Sequence, residues 1–332
     1  LRTYHRYPTT LSAAEPDAVA RQLKELLDSD DTSEETAYEA LQLAQSLVRK
    51  RAANKEGASA TDLAYTSALT LLEKKQRVSV ASQLLMILLD VLLEFHTEET
   101  DEWLTRLEKL HEAQKTALEA TRSSMSPMEV IRLSRLHRDW LRRCVHWSSE
   151  YGTIRFGHTK LQALLGHQSW SLATLLQKQE DRDDAGGAAA PAEPMLDEEE
   201  DDIMDACCDA VVHMALAEHP EQIAKWLATL PDPKPEEIKS GHTCPPGVRD
   251  ALFTRALLCF CAMENLRDGN ALLKLYIPIE SRDLKNDLVK SYVNKEDGFA
   301  PSHLVFGTSL LRVCEKDART GPLYSWLLRS FK

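Results

Sequence analysis

The sequence has no long hydrophobic run and almost no β-strand pattern. Its longest apolar stretch covers residues 84–89 and is bounded by Gln83 and Asp90, far short of the roughly 20 residues that a membrane-spanning helix needs. Alternating β-branched runs are missing, and the 12 Gly and 14 Pro residues stand mainly between segments of helical period. We therefore expect a soluble, all-α protein without direct membrane insertion.

Positive charge is also scarce, with 40 Lys and Arg against 52 Asp and Glu and a net charge of −12. Because nucleic acid and anionic lipid attract clustered basic side chains, we expect neither as a partner. Two local basic clusters remain, at residues 49–51 with Lys55 and at residues 74–75 with Arg77. An acidic partner could dock there; alternatively, these cations are solvated last turns of helices, where they suit the helix dipole.

The seven cysteines are an odd number and fall mostly inside helical apolar patterns, in a chain with no start resembling a signal peptide. Unpaired, helix-borne cysteines are typical of a reducing compartment. We therefore expect a cytoplasmic protein.

Sites for chemistry are absent as well. There is no phosphate-binding G-x-x-x-x-G-K-[ST] loop, and the pair His111–Glu112 is followed by Lys115 where a zinc-binding H-E-x-x-H motif needs its second His. The best metal-like group is His242, Cys244, Cys259 and Cys261, but two cysteines two residues apart on a helix point to different sides. We expect no catalytic residue, metal or cofactor, and no enzyme.

Apolar residues at helical spacing predict roughly 14–15 helices, allowing for ordinary helix and loop lengths. The expected helices cover approximately residues 16–27, 32–50, 58–76, 78–96, 100–118, 127–148, 158–165, 171–179, 203–217, 220–230, 247–265, 269–276, 281–293, 302–315 and 321–331. A capping box at residues 32–35 should open the second helix.

Residues 180–202 lack an apolar stripe and combine Gly, Pro and acidic side chains, a composition typical of a mobile surface loop. We divide the chain into an N-terminal half, residues 12–179, this acidic loop, residues 180–202, and a C-terminal half, residues 203–332. Consecutive helices of similar size without a fixed-period motif predict a degenerate α-solenoid of stacked antiparallel helix pairs, similar to tetratricopeptide arrays.

The most informative segment lies near the middle of the chain. Trp140 and Trp147 are two helical turns apart, so both can face one neighbouring helix, and the helix should end at residues 148–149. A turn at Gly157 and the apolar Leu161 and Leu165 then predict a helix that packs back on the first. This pattern indicates a scaffold.

With these residues the chain resembles the Golgi-to-ER traffic protein four family, the cytosolic bridging subunit in the guided entry of tail-anchored membrane proteins. The resemblance rests on residues 146–148, 156–157 and 161–166, supported by Tyr38-Glu39-Ala40-x-Gln42 and by residues 67–69. It implies a non-enzymatic adaptor that promotes the hand-over of tail-anchored proteins for insertion into the ER. Its implied partners are a homodimeric targeting ATPase, at the N-terminal half, and the N-terminal segment of a ubiquitin-like-domain protein, at the C-terminal half.

For the ATPase, the resemblance implies a surface on the second helix, with Tyr38 as an aromatic anchor or, alternatively, as a residue packed between helices. The implied contact residues are Tyr38, Glu39, Gln42, Lys50 and Arg51. The family's early His is Leu41 here, its preceding aromatic is Ala37, and its acidic regulatory position aligns with Ser82.

For the ubiquitin-like partner we expect apolar residues near the C-terminus, namely Leu252, Phe253, Leu257 and Phe260. A place in the core is the default for such residues. Two other interpretations of the whole chain stay open: a helical-repeat scaffold of the proteasome-lid or vesicle-coat type, and, third, an enzyme with an unrecognised site.

Overall fold

The structure, a computed structural model, describes residues 16–185, 203–230, 248–276 and 302–316. These residues contain twelve α-helices, a 3-10 helix at Arg122–Ser124 and no strand. The α-helices are α1 (Pro16–Asp28), α2 (Glu34–Ala53), α3 (Gly57–Glu73), α4 (Val78–Glu94), α5 (Asp101–Thr121), α6 (Pro127–Tyr151), α7 (Thr159–Ala185), α8 (Ile203–Leu216), α9 (Pro220–Thr229), α10 (Val248–Ala262), α11 (Leu266–Tyr276) and α12 (Ser302–Cys314). The all-α prediction is confirmed, while the helices expected at 281–293 and 321–331 lie outside the described residues.

The chain divides into two compact units, Leu1–Trp147 and Ser148–Lys332. In the first unit the helices form two layers: α3 packs between α1 and α5 in one layer, and α2 and α4 pack beside each other in the second. From α1 to α5, each helix also packs on the next one along the chain. This stacking of consecutive helices confirms the α-solenoid prediction.

Small and branched apolar side chains build the core of the first unit. The apolar stripe of α2 is buried throughout, at Ala37, Ala40, Leu41, Ala44, Leu47 and Val48. Its alanines let α2 lie close to its neighbours, while α4 supplies bulk through leucines that are fully buried. The departures from the family pattern at Ala37 and Leu41 therefore lie in the core, where they affect packing.

The start of α2 differs by one residue from the predicted capping box. Ser33, not Thr32, is the N-cap, and its Oγ accepts a hydrogen bond from the backbone N–H of Thr36 at 3.3 Å. Asp31 accepts hydrogen bonds from Thr36 Oγ1 and from the N–H and Oγ of Ser33, which lower the pKa of the Asp31 carboxyl. This local network selects Ser33 as the first residue outside the helix.

Five of the twelve described helices are followed by a residue in the left-handed conformation that is not glycine. The N–H of the following residue donates to the carbonyl five positions back at four of these ends, for example from Thr97 to Leu92 at 3.0 Å. The left-handed residues are Lys55, Gln76, His96, Glu218 and Glu264. The same type of helix end thus recurs in backbone conformation and hydrogen bonding but not in residue type. This explains why the sequence shows no repeated glycine motif.

Helix α7 corrects another prediction. Two helices were expected at 158–165 and 171–179, but α7 is one helix that continues to Ala185, into the segment assigned to the acidic loop. Leu161, Leu165 and Leu172 form one buried stripe along it, and Gly166 does not interrupt the helix because α8 packs directly on it. Residues 186–202 lie outside the described residues.

In the second unit α10 is the central helix. It packs against α8, α9, α11 and α12, and its apolar residues lie on nearly all sides, as expected for a helix surrounded by others.

Candidate protein-interaction site

One side of α2 presents an aromatic and polar face to solvent. Tyr38 is 52% exposed, and Glu39, Gln42 and Lys50 are exposed along the same side of the helix. Gln22 of α1 donates a hydrogen bond to the Glu39 carboxylate at 3.1 Å. The alternative in which Tyr38 packs between helices is thus wrong, since half of its surface is accessible.

Arg51 does not belong to this face. It is half-buried, and its guanidinium donates to the backbone carbonyl of Ser59 in α3 at 3.0 Å. Because Arg51 follows the buried Leu47 by one turn, it lies on the side of α2 that packs toward α3. The structure therefore brings together four of the five predicted residues and gives Arg51 a contact inside the first unit.

In the second basic cluster, residues 74–75 with Arg77, Lys75 and Arg77 bind backbone carbonyls within the first unit, while Lys74 is exposed. Lys75 is only 3% exposed, and its Nζ donates to the carbonyl of Ser29, to Ser29 Oγ at 3.0 Å and to the carbonyl of Asp31 at 2.7 Å. Arg77 Nε donates to the carbonyl of Thr32 at 3.0 Å. These cations hold the connection between α1 and α2, whose free carbonyls attract them.

Ser82, aligned with the family's acidic regulatory position, is also internal. It is 5% exposed, its Oγ donates to the carbonyl of Val78 at 2.8 Å, and it accepts a hydrogen bond from Gln114 Nε2 at 3.2 Å. A side chain held in this way is not available for a surface contact, so Ser82 does not offer the exposed acidic group of the family's regulatory position.

A second partly exposed cluster in the first unit was missed from the sequence. The Arg106 guanidinium lies 5.2 Å from the ring centre of Tyr65 and 4.8 Å from that of Trp103, and it pairs with Asp62 at 2.6 Å and Glu102 at 2.7 Å. Trp103 is half-buried on α5. Its neighbours on α3 are far away in sequence, so helical spacing alone gave no signal for this cluster.

His111, considered above for a zinc motif, instead pairs with another histidine. His111 Nδ1 lies 3.0 Å from His137 Nε2, and both rings are buried between α5 and α6. Burial, and then the neighbouring His111 and Lys115, lower the pKa of His137 well below its usual range. His137 is therefore neutral near pH 7, and one ring of the pair donates a hydrogen bond to the other.

The residues expected to contact the ubiquitin-like partner are core residues. Leu252, Phe253, Leu257 and Phe260 have no accessible surface and belong to the hydrophobic cluster of the second unit. The default interpretation, a place in the core, is thus confirmed for these four residues, since α10 is enclosed by four helices and its apolar side chains pack inward.

The joint between α6 and α7 follows the sequence prediction closely. Trp140 and Trp147 are buried, and α6 ends at Tyr151, shortly after the expected residues 148–149. Gly157 adopts a positive φ of 86°, and the Ser148 Oγ accepts a hydrogen bond from the backbone N–H of His158 at 3.0 Å. Only glycine takes such a φ without strain, which accounts for the Gly in this motif.

Metal ligands do not come together in the part of the chain that the structure describes, where no group of three or more His, Cys, Asp or Glu could hold an ion. His242 and Cys244 lie outside that part.

Comparison with known proteins adds to this geometry. A family model described as Golgi to ER traffic protein 4 matches residues 39–332, most of the chain. The chain belongs to this Get4 family. The match begins one residue after Tyr38 and includes Glu39, Gln42, Lys50 and the α6–α7 joint.

The Get4-family chain is also similar to a solved structure, the crystal structure of C. therm. Get4, at 14% sequence identity and a TM-score of 0.47, covering 96% of this chain and 84% of that chain. No curated protein matches the present chain. Within the described ranges, none of its helices is both long enough and apolar enough to span a bilayer.

Membership of the Get4 family assigns the chain to Golgi-to-ER traffic. It favours the adaptor interpretation over a proteasome-lid or vesicle-coat scaffold.

Proposed function

We propose that this chain is a non-enzymatic, cytoplasmic adaptor that holds a homodimeric targeting ATPase and the N-terminal segment of a ubiquitin-like-domain protein. In this role it promotes the hand-over of tail-anchored membrane proteins for insertion into the ER. Membership of the Get4 family supports the pathway. The observation that carries the ATPase site is the exposed face of α2 formed by Tyr38, Glu39, Gln42 and Lys50.

This face has the composition of a protein-binding site. An exposed tyrosine supplies a large, rigid contact area with a polar end, and such residues often dominate binding energy. Lys50 lies three turns along the same side of the helix and adds a positive charge. An acidic surface on the ATPase would gain a charge-assisted contact at Lys50 while Tyr38 fills a neighbouring pocket.

The test is binding of purified Tyr38→Ala and Lys50→Glu variants to the ATPase dimer. We expect Tyr38→Ala to weaken binding about tenfold or more, as for a central aromatic contact. Lys50→Glu should weaken binding most at low salt and progressively less as salt screens the charge. The matched control is Met128→Ala, since Met128 is 50% exposed but lies on α6. Equal affinities for the Tyr38→Ala and Met128→Ala proteins would refute this site.

We propose the second unit as the region that binds the ubiquitin-like partner, which the family resemblance supports, and the buried side chains of α10 are not offered as its site. Hydrogen exchange of the full chain, with and without a peptide of the partner's N-terminal segment, locates the contact. Protection confined to helices of the first unit would contradict this placement.

A further inference from the structure

Helices α10 and α12 run side by side in the second unit. A Cβ at Gly307 would lie 3.2 Å from Leu257 Cδ2 and 3.3 Å from Thr254 Cγ2. One turn further along α12, Leu311 packs against Gly269 of α11. Phe260 of α10 packs against the same glycine. Residues further along α12 thus contact residues further along α10, so the two helices are parallel. The next turn of α12 brings Cys314 close to Cys261 of α10.

The parallel register places the thiols of Cys261 and Cys314 beside each other at this end of the helix pair. Both are reduced, and Cys261 is partly exposed whereas Cys314 is exposed. Cys259 lies two residues from Cys261 on α10 and therefore points to another side of the helix. The structure thus assigns Cys314 one near thiol partner among the described residues, at the open end of the helix pair.

The surroundings give the two thiols different roles. Burial, and then the proximity of Cys314, raise the pKa of Cys261 to about 12, so Cys261 stays protonated beside its neighbour. Glu315, which also faces this pair, is held by Arg312 at 2.7 Å and by Asn270 at 2.6 Å. Because the thiolate is the attacking form, the exposed Cys314 is suited to react first with an oxidant from solvent.

We propose that Cys261 and Cys314 form a reversible disulfide by exchange with a small-molecule disulfide such as oxidised glutathione. The Cys314 thiolate attacks one sulfur of that disulfide and releases one glutathione thiolate, leaving a mixed disulfide on Cys314. Cys261 then loses its proton and attacks the Cys314 sulfur, releasing the second glutathione. Two protein thiols are oxidised and one glutathione disulfide is reduced to two thiols, so electrons and protons balance.

The bond would tie the C-terminal end of α12 to α10, the central helix of the second unit. It closes a loop from residue 261 to residue 314, and a crosslink over a long loop restricts the unfolded chain. The oxidised protein should therefore unfold at a higher temperature than the reduced protein.

The experiment treats the full chain with oxidised glutathione, blocks remaining thiols and digests with trypsin without reduction. Cleavage leaves Cys259 and Cys261 in peptide 256–267 and Cys314 in peptide 313–316. We expect these two peptides as one crosslinked species, lost in Cys261→Ser and Cys314→Ser and retained in Cys259→Ser. The unfolding midpoint should rise by several degrees on oxidation of the wild type and of Cys259→Ser, with no rise in Cys314→Ser.

Circular dichroism of each reduced variant shows that the exchange is measured on folded protein. A stable mixed disulfide on Cys314 without the crosslink, or a crosslink that disappears in Cys259→Ser, would overturn the assignment. So would an oxidised wild type that unfolds at the same temperature as the reduced protein.

Discussion

Gly166 lies where α7 and α8 come closest. A Cβ at this position would lie 3.1 Å from Met214 Cε, 3.2 Å from the Ala210 carbonyl oxygen and 3.2 Å from the Met214 backbone nitrogen. Two of these three atoms belong to the backbone of α8, which cannot move aside as a side chain can. The glycine that ends the Leu-rich family motif is therefore a packing residue between two helices.

We predict that Gly166→Ala lowers the free energy of unfolding by about 1–3 kcal/mol, the usual cost of overpacking. Urea unfolding followed by circular dichroism measures it. Thr174→Ala, on the exposed side of the same helix, should stay close to wild type. A Gly166→Ala protein as stable as the Thr174→Ala protein would show that α7 and α8 can separate without cost.

His137 makes the stability of the first unit depend on pH. Because burial lowers its pKa in the folded state, the unfolded chain takes up a proton below pH 6.5 that the folded chain does not. The free energy of unfolding is therefore greatest above the unfolded pKa and falls as the pH drops below it, by up to about 1.4 kcal/mol per pH unit.

We predict that His137→Gln, which keeps a polar group beside His111, reduces this slope between roughly pH 6 and pH 5. The reduction should reach up to about 1.4 kcal/mol per pH unit, which corresponds to one proton. Urea unfolding at several pH values measures the slope for both proteins. An unchanged slope would place the titrating group elsewhere. Because slopes are compared, any pH-independent loss of stability in the variant does not affect the result.

Single residues were predicted unevenly from the sequence. Burial of Trp140 and Trp147, the turn at Gly157 and the stripe of α2 follow from helical spacing and from the φ that only glycine adopts easily. The roles of Lys75, Arg51 and Ser82 depend on partners in other helices, which spacing within one helix does not report. Exposure of Tyr38 was left open for the same reason.

At the scale of elements, the connection between α1 and α2 is stabilised by a single buried cation. Lys75 reaches from the end of α3 to Ser29 and Asp31, while the adjacent Lys74 makes an exposed ion pair with Asp28 at 3.0 Å. Two neighbouring lysines thus have different roles. Since α1 carries a single fully buried leucine, Leu23, it depends on this connection to stay on α2 and α3.

We predict that Lys75→Met, which keeps the stem and removes the donors, destabilises the first unit by about 1–3 kcal/mol because buried acceptors lose their partner. Hydrogen exchange should show faster exchange of α1 amides than in wild type. Lys74→Met is the matched control and should leave that exchange unchanged, since exposed ion pairs contribute little. If the α1 amides exchange at the same rate in the Lys75→Met and Lys74→Met proteins, Lys75 does not hold this connection.

Helix existence was predictable, whereas some helix limits were not. Apolar periodicity located the described helices, and the Ser126–Pro127 start of α6 is confirmed by a hydrogen bond from the Glu129 N–H to Ser126 Oγ at 3.2 Å. Helix α7 was divided wrongly because Gly166 resembles a breaker until its contact with α8 is known. The helix ends at Lys55 and His96 use the left-handed conformation, which Lys and His rarely adopt and which their presence in the sequence therefore does not predict.

At the scale of the whole molecule, the all-α solenoid follows from composition and period, because nothing in the chain favours a strand and consecutive amphipathic helices must pack on one another. The family resemblance is confirmed by the match over residues 39–332. The interaction site stays a prediction: α2 presents Tyr38, Glu39, Gln42 and Lys50 to solvent, while the α10 residues named for the second partner are enclosed by other helices.

We propose that one chain holds both partners at once. Sedimentation of the chain with the targeting ATPase dimer and with a labelled N-terminal segment of the ubiquitin-like-domain protein tests it directly. We predict that the labelled segment sediments with the ATPase only when this chain is present, and that Tyr38→Ala releases the ATPase while the segment stays bound. Displacement of one partner by the other would contradict the bridging account.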